Sequence, residues 1–232
     1  MDNREYWDMV ANDKNFTTPF QSDLFKKYVD INNSILDIGC GYGRTLKELY
    51  DLGYRNLIGI DFSKEMIDRA RNLYSYINFY VGNGNQLNFD NNSIDSVILL
   101  GVLTCIYNKN EQQDLIREIY RILKPSGILY INDFLLNDSS MYLERYNKYK
   151  DKYGDYGIFE TSDGGIFRHH TKEYFDELLI DFKSEKVKTL TYNTMNGHNS
   201  NGIYYIGRKF NFIDWQIKKF RVNFNSRQLK KA

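Results

Sequence analysis

The 232-residue chain has two cysteines, Cys40 and Cys105, and three histidines, and no metal-ligand spacing joins the two sets. No metal site is therefore expected, and reducing conditions are the natural setting. Long apolar runs are also lacking: nothing approaches the length of a membrane span. The opening residues Met1-Asp2-Asn3-Arg4-Glu5 are charged and no apolar run follows them, so neither a signal peptide nor a membrane partner is expected, and the predicted location is cytoplasmic. Charge of one sign is missing too. With 31 basic and 30 acidic residues the net charge is +1, which gives no support to nucleic-acid binding by phosphate neutralisation. No internal repeat is visible.

What is present is an ordinary globular composition, 42% hydrophobic and 26% charged, in a length that suits one large α/β domain. Aromatics stand out, with 20 Tyr and 15 Phe, more phenolic hydroxyls than a core alone needs. Residues 1–30 read as a helical lead-in broken at Pro19. Short apolar runs at 34–38, 56–60, 77–81, 94–100 and 127–134 then predict strands, and helical spacing at 44–52, 64–73 and 111–123 falls between them. That alternation predicts a mostly parallel sheet with helices on both faces. Ser63 reads as an N-cap, and Pro125-Ser126-Gly127 as the turn into the fifth strand. Residues 137–166 carry no strand pattern and are expected to form an insertion. A helix at 173–181 and two β-rich runs at 186–192 and 202–208 follow, the last two predicted to pair as an antiparallel addition at the sheet edge. Residues 211–232 are basic, with Lys218, Lys219, Arg221, Arg227, Lys230 and Lys231, and are read as a docked helix or a solvated tail.

The chemistry is signalled at Asp37-Ile38-Gly39-Cys40-Gly41-Tyr42-Gly43, which follows an apolar strand and opens a helix. Glycines there permit a tight turn and close approach of a ligand to the backbone near a helix N-terminus. Asp61 lies 24 residues after Asp37, at the end of the second apolar run, where a carboxylate can accept both hydroxyls of an adenosine ribose. Turn and acid together point to an adenosine-containing cofactor and leave NAD and S-adenosylmethionine (SAM) both open.

The segment 36–43 resembles motif I of class I SAM-dependent methyltransferases, and Gly59-Ile60-Asp61-Phe62-Ser63 resembles their post-I motif. Arg121-Ile122-Leu123-Lys124-Pro125-Ser126-Gly127 is similar to their turn before strand five, and Phe167-Arg168-His169-His170-Thr171 to a late signature of small-molecule members. The resemblance implies a Rossmann-like, seven-stranded, mostly parallel sheet with an antiparallel C-terminal strand and a helical lid insertion. Its divisions are an N-terminal segment 1–30, a SAM-binding core 34–136, a lid 137–166, C-terminal helix and strands 167–210 and a tail 211–232. It implies that Gly39, Cys40, Gly41 and Gly43 shape the loop under the methionine moiety, that Asp37 orients its amino group, and that Asp61 holds the ribose. Phe62 packs on adenine, Asn83 and Gly84 stand where an adenine-binding Asp is usual, and Leu100 and Gly101 face the transferred methyl.

The expected activity is methyl transfer to a small molecule, on nitrogen or oxygen, by a monomer or homodimer. The acceptor site is assigned to the N-terminal segment, the insertion and the histidine pair. Tyr142, Tyr146, Tyr149, Tyr153 and Tyr156 recur at steps of four and three, one face of a helix, which packs on the domain or encloses an acceptor. Tyr142, Tyr146, Tyr149 and Arg168 are the substrate-binding candidates. His169 and His170 have the intrinsic pKa of a general base, or cap the helix that follows. His198 reads as solvated and Cys105 as a buried small hydrophobe. An NAD(P)-dependent oxidoreductase and a non-catalytic methyltransferase-like binding protein are the alternatives.

Overall fold

The computed structural model describes residues 2–195 and 197–211, and the basic residues from Lys218 onward lie outside the described part. Its first half alternates as the apolar runs require: α1 (Asn3–Val10), α2 (Ser22–Phe25), β1 (Ile35–Ile38), α3 (Arg44–Asp51), β2 (Leu57–Asp61), α4 (Lys64–Leu73) and β3 (Asn78–Val81). It continues with β4 (Ile94–Leu100), a 3₁₀ turn at Leu103–Cys105, α5 (Lys109–Ile122) and β5 (Leu123–Phe134). The sheet runs in the order β3-β2-β1-β4-β5 with every neighbouring pair parallel. Two long strands, β8 (Phe182–Asn193) and β9 (Asn199–Lys209), complete it, β9 antiparallel to β5 and β8 antiparallel to β9.

Strand side chains alternate between two cores, which is why helices are needed on both faces. Leu36 and Ile38, Val97 and Leu99, and Leu129 and Ile131 meet α5 through Leu115, Ile116, Ile119 and Ile122. Ile35, Ile98, Ile128 and Tyr130 meet Leu46 and Leu49 of α3 and Ile67 and Ala70 of α4. Because the chain moves outward from β1 to β3 and then returns to β4 on β1's other side, the carboxyl ends of β1 and β4 border a crevice. Ser63 caps α4 by accepting the Met66 N–H. Among the described residues no helix is long and apolar enough to cross a membrane.

The insertion departs from expectation. The tyrosine spacing does give a helix, α6 (Ser140–Tyr153), but Gly154 ends it in a left-handed cap (φ 67°), which leaves Tyr156 off its face. Where no strand was expected, β6 (Ile158–Glu160) and β7 (Ile166–Arg168) form a small antiparallel ribbon. Three residues each are too few for alternation to register. After them come α7 (Lys172–Leu178), capped by the Thr171 hydroxyl rather than by a histidine, and the β8–β9 pair.

A carboxylate that the sequence did not single out holds the crevice in shape. Asp133, wholly buried near the end of β5, accepts the N–H groups of Leu103 at 2.8 Å and Thr104 at 3.1 Å, fastening the 3₁₀ turn that follows β4. Burial pushes its carboxyl up to about 7 against the opposing pull of these N–H bonds and that of Phe134. Asp133→Ala leaves two buried amides without an acceptor, so urea denaturation should register a loss of roughly 2–3 kcal/mol. A loss below about 0.5 kcal/mol, the scale of an inert surface change, would remove the anchoring role.

Candidate functional site

The crevice deepens into a cavity of about 170 Å³, where one water needs roughly 10–15 Å³. Its floor is the turn after β1. Gly39, Gly41 and Gly43 all have positive φ, at 69°, 52° and 82°. A Cβ on Gly41 would fall 2.2 Å from the Phe16 ring, so this position needs glycine for its neighbour as well as for its conformation. Asp61 ties the turn to the end of β2. Its Oδ2 accepts the Gly41 N–H at 2.8 Å and its Oδ1 the Ser63 N–H at 2.9 Å.

Asp37 and Asp61 are 2% and 6% exposed. Burial, and after it the Asp61 charge, pushes the Asp37 carboxyl up to about 8, with Arg44 pulling the other way. Burial raises Asp61 to about 6, restrained by the Ser63 and Gly41 N–H bonds. Asp37 Oδ1 has no hydrogen-bond partner among the described residues, and such orphaned buried acceptors call for a reason. Gly39, Cys40, Gly41, Phe62, Leu100 and Gly101 join these two acids on the wall. Gly43 does not; it starts α3. Asn83 and Gly84 do not line this cavity, and the Asn83 Oδ1 caps its own exposed turn by accepting the Asn85 N–H at 3.1 Å.

The N-terminal segment closes one side. Trp7, Phe16, Thr17 and Thr18 line the cavity. The segment is held down by Phe16 N–H on the Tyr42 hydroxyl at 3.0 Å, Asn132 Nδ2 on the Pro19 carbonyl at 2.8 Å, and Gln21 N–H on the Tyr130 hydroxyl at 3.1 Å. Thr194, Met195 and His198 of the β8–β9 turn border the cavity, and His198 is exposed there, as expected. Thr17 Oγ1 anchors that turn by donating to the Asn193 carbonyl at 3.0 Å, a contact across 176 positions. Both thiols are free and line the cavity, and burial pushes each pKa up.

The other side comes from α6, β6 and β7: Tyr142, Arg145, Phe159 and Phe167, with His169 behind. Of the tyrosine stripe only Tyr142 reaches the wall. Tyr146 is fully buried behind it, and Tyr149, half-buried, turns to Tyr153. Arg168 is spoken for outside the cavity, by Asp155 at 2.7 Å and the Tyr107 carbonyl at 2.7 Å. His170 is likewise outside, its Nδ1 3.3 Å from the Phe134 carbonyl and its Nε2 2.9 Å from the Gln112 amide nitrogen. Burial, then the Arg168 charge, lowers it to about 3.

His169 is stacked on Phe134 (5.5 Å, 15°) and meets Phe159 edge-on at 4.9 Å. Its Nδ1 lies 2.7 Å from the Tyr146 hydroxyl and 3.2 Å from Asn137 Nδ2. The Asn137 amide orientation is fixed, because its Oδ1 accepts the Asn201 N–H at 2.7 Å and its Nδ2 donates to the Leu135 carbonyl at 2.9 Å. The Tyr146 hydroxyl accepts the Asn137 N–H at 3.3 Å and directs its own proton to His169. Nδ1 is therefore the acceptor. Burial, with lesser help from His170 and Arg145, depresses the imidazole to about 3, so the ring is neutral with its proton on Nε2. This corrects the general-base expectation: His169 offers the cavity an N–H, not a lone pair. Imidazole ¹⁵N shifts should report the Nε2–H tautomer and no protonation between pH 8 and about 4. Titration near the unperturbed value of about 6.5 would contradict the assignment.

Comparison with known proteins agrees with this geometry. Residues 36–131 match a family model described as a methyltransferase domain. A carboxy-S-adenosyl-L-methionine synthase of Campylobacter fetus is 28% identical over 179 residues, 73% of this chain and 72% of that enzyme. A sterol 24-C-methyltransferase of Aspergillus fumigatus is 27% identical over 111 residues, 45% of this chain and 29% of that enzyme, so the chain spans under a third of its length. Among solved structures, a SAM-dependent methyltransferase of Methanosarcina mazei superposes with a TM-score of 0.77 at 27% identity, covering 81% of this chain and 97% of the other. Motif order, strand order and these matches agree: residues 36–131 match a methyltransferase domain, and the fold is that of the class I SAM-dependent methyltransferases.

Proposed function

We propose that the protein transfers a methyl group from SAM to a small-molecule acceptor, on nitrogen or oxygen, with donor and acceptor meeting in the one cavity. The observation that carries this reading is the pair of buried carboxylates, Asp37 with an orphaned oxygen, at the carboxyl end of β1 and β2. The residues present fit SAM. Asp37 suits a cationic group of the methionine moiety. Each Asp61 oxygen has one backbone N–H and a lone pair to spare for a ribose hydroxyl. A Cβ on Gly101 would meet nothing within 4 Å, so the end of β4 leaves room beside Leu100.

When bound, SAM supplies a methyl group on a positively charged sulfur. The transfer is an in-line displacement, and the protein's part is alignment and exclusion of water. The glycine turn and Asp61 fix one end of the line. Trp7, Phe16, Phe159 and Phe167 wall the space beyond, linked ring to ring from Phe16 to Trp7 (5.9 Å), Phe167 (6.3 Å) and Phe159 (6.2 Å). His169 donates its Nε2–H and so orients an acceptor without taking its proton. The two named relatives act on different chemistry, so their names do not choose the acceptor.

Calorimetry should find SAM and S-adenosylhomocysteine binding one per chain and NADH not binding. Asp61→Asn, which keeps the shape and removes the charge, should weaken SAM by roughly ten- to a hundredfold, the worth of a charge-assisted hydrogen bond. Binding of NADH alone, or SAM affinity unchanged in that variant, would overturn the reading.

A further inference from the structure

The two ends of the cavity differ in charge. Near the glycine turn stand Asp37 and Asp61, with Arg44 committed to the Thr18 carbonyl. At the far end stands Arg145. It is half-buried on α6, and its guanidinium carbon lies 5.7 Å from the centre of the Tyr142 ring and 5.8 Å from that of Phe159. Several arginines of the fold have a carboxylate: Arg121 has Glu118, Arg168 has Asp155 and Arg208 has Glu185. Arg145 has none within ion-pair distance among the described residues. Its charge is felt at His169, where it helps depress the imidazole. Beside it His169 directs the Nε2–H that Tyr146 and Asn137 leave in place. Thr161, another polar residue of this wall, gives its hydroxyl proton to Asp163 at 2.6 Å.

A guanidinium flanked by aromatic rings and a fixed N–H donor, with no acid to neutralise them, is a place for an anion. Two donor groups match the two oxygens of a carboxylate, whereas a phosphate brings three oxygens and asks for more. We propose that the methyl acceptor carries a carboxylate, held by Arg145 and the His169 Nε2–H, on a flat apolar body packed against Phe159 and Phe167. This rests on the methyl-transfer reading and adds the class of acceptor to it. It also gives the cavity complementary ends, acidic for a cationic donor and basic for an anionic acceptor.

The test uses the full chain loaded with S-adenosylhomocysteine and a panel of aryl and arylalkyl carboxylic acids, each paired with its primary amide. Calorimetry should find acids that bind and whose amides bind at least about tenfold more weakly. Arg145→Gln should lose the acid by roughly ten- to a hundredfold while holding SAM within about twofold, and Arg145→Lys should recover part of the loss. His169→Phe should lose the preference for acid over amide in part. The proposal is overturned if no acid of the panel binds, if acid and amide bind alike, if aryl amines bind in their place, or if Arg145→Gln leaves acid binding unchanged. Failure of the wild-type protein to bind SAM is a separate result that removes the methyl-transfer reading. The acid-binding assay needs no turnover and, run on the unloaded full chain, still reads the Arg145 site in that case.

Discussion

Two carboxylates are buried close together where the sheet reverses its strand order, and like charges in a poorly hydrated place oppose one another's ionisation. Asp61 offsets part of that cost through the Gly41 and Ser63 N–H groups, and in doing so it clamps the glycine turn against β2. Asp37 has no such compensation beyond the nearby Arg44, and its carboxyl rises to about 8. The rest of the crevice follows from keeping this pair in place. The turn can pass between them only with glycines at positive φ, and the absence of a Cβ at Gly41 lets Phe16 lie against the loop. The N-terminal segment is thereby drawn over the site, and Asn132, Tyr130 and Tyr42 hold it there.

The cavity wall formed by α6, β6 and β7 is organised by a second buried network. Tyr146, Asn137 and His169 form a chain of hydrogen bonds whose directions are set by Asn201 and Leu135 at its ends. Its outcome is a tautomer. With burial holding the ring neutral and Nδ1 accepting, the proton stays on Nε2, which leaves a donor for the cavity. Tyr146 therefore matters to the cavity without lining it, which is a different duty from that of Tyr142 one helical turn earlier.

How much of this was legible in the sequence varied with the range of the interaction. The strands, their mostly parallel arrangement and the long helices were readable because alternation and 3.6-residue spacing are local, and Ile94–Leu100 coincides with its expected run. Asp37 and Asp61 were readable because their spacing is that of one βαβ unit. Residues placed by distant partners were not. Nothing local says that residue 17 will tether the 194–198 turn, or that Asp133 will cap the turn at Leu103. The arginines make the point most plainly. The late motif drew attention to Arg168, but Asp155, thirteen residues earlier, neutralises it, and Arg145 reaches the cavity instead. The histidine pair carried the right chemistry by residue type, and only the hydrogen bonds at each ring nitrogen decide which one faces the cavity and with which atom.

In the proposed methyl-transfer reading, Asp37, raised to about 8 by burial, ionises against the cationic end of bound SAM. Its pKa is raised in the free protein, so a ligand that favours the charged form must expel the proton, and affinity should climb with pH up to about 8. Calorimetric titration of SAM at pH 7 in buffers of differing ionisation enthalpy measures that release directly. The account predicts close to one proton released by the wild-type protein and that contribution lost in Asp37→Asn. An identical proton count for the two proteins would contradict it.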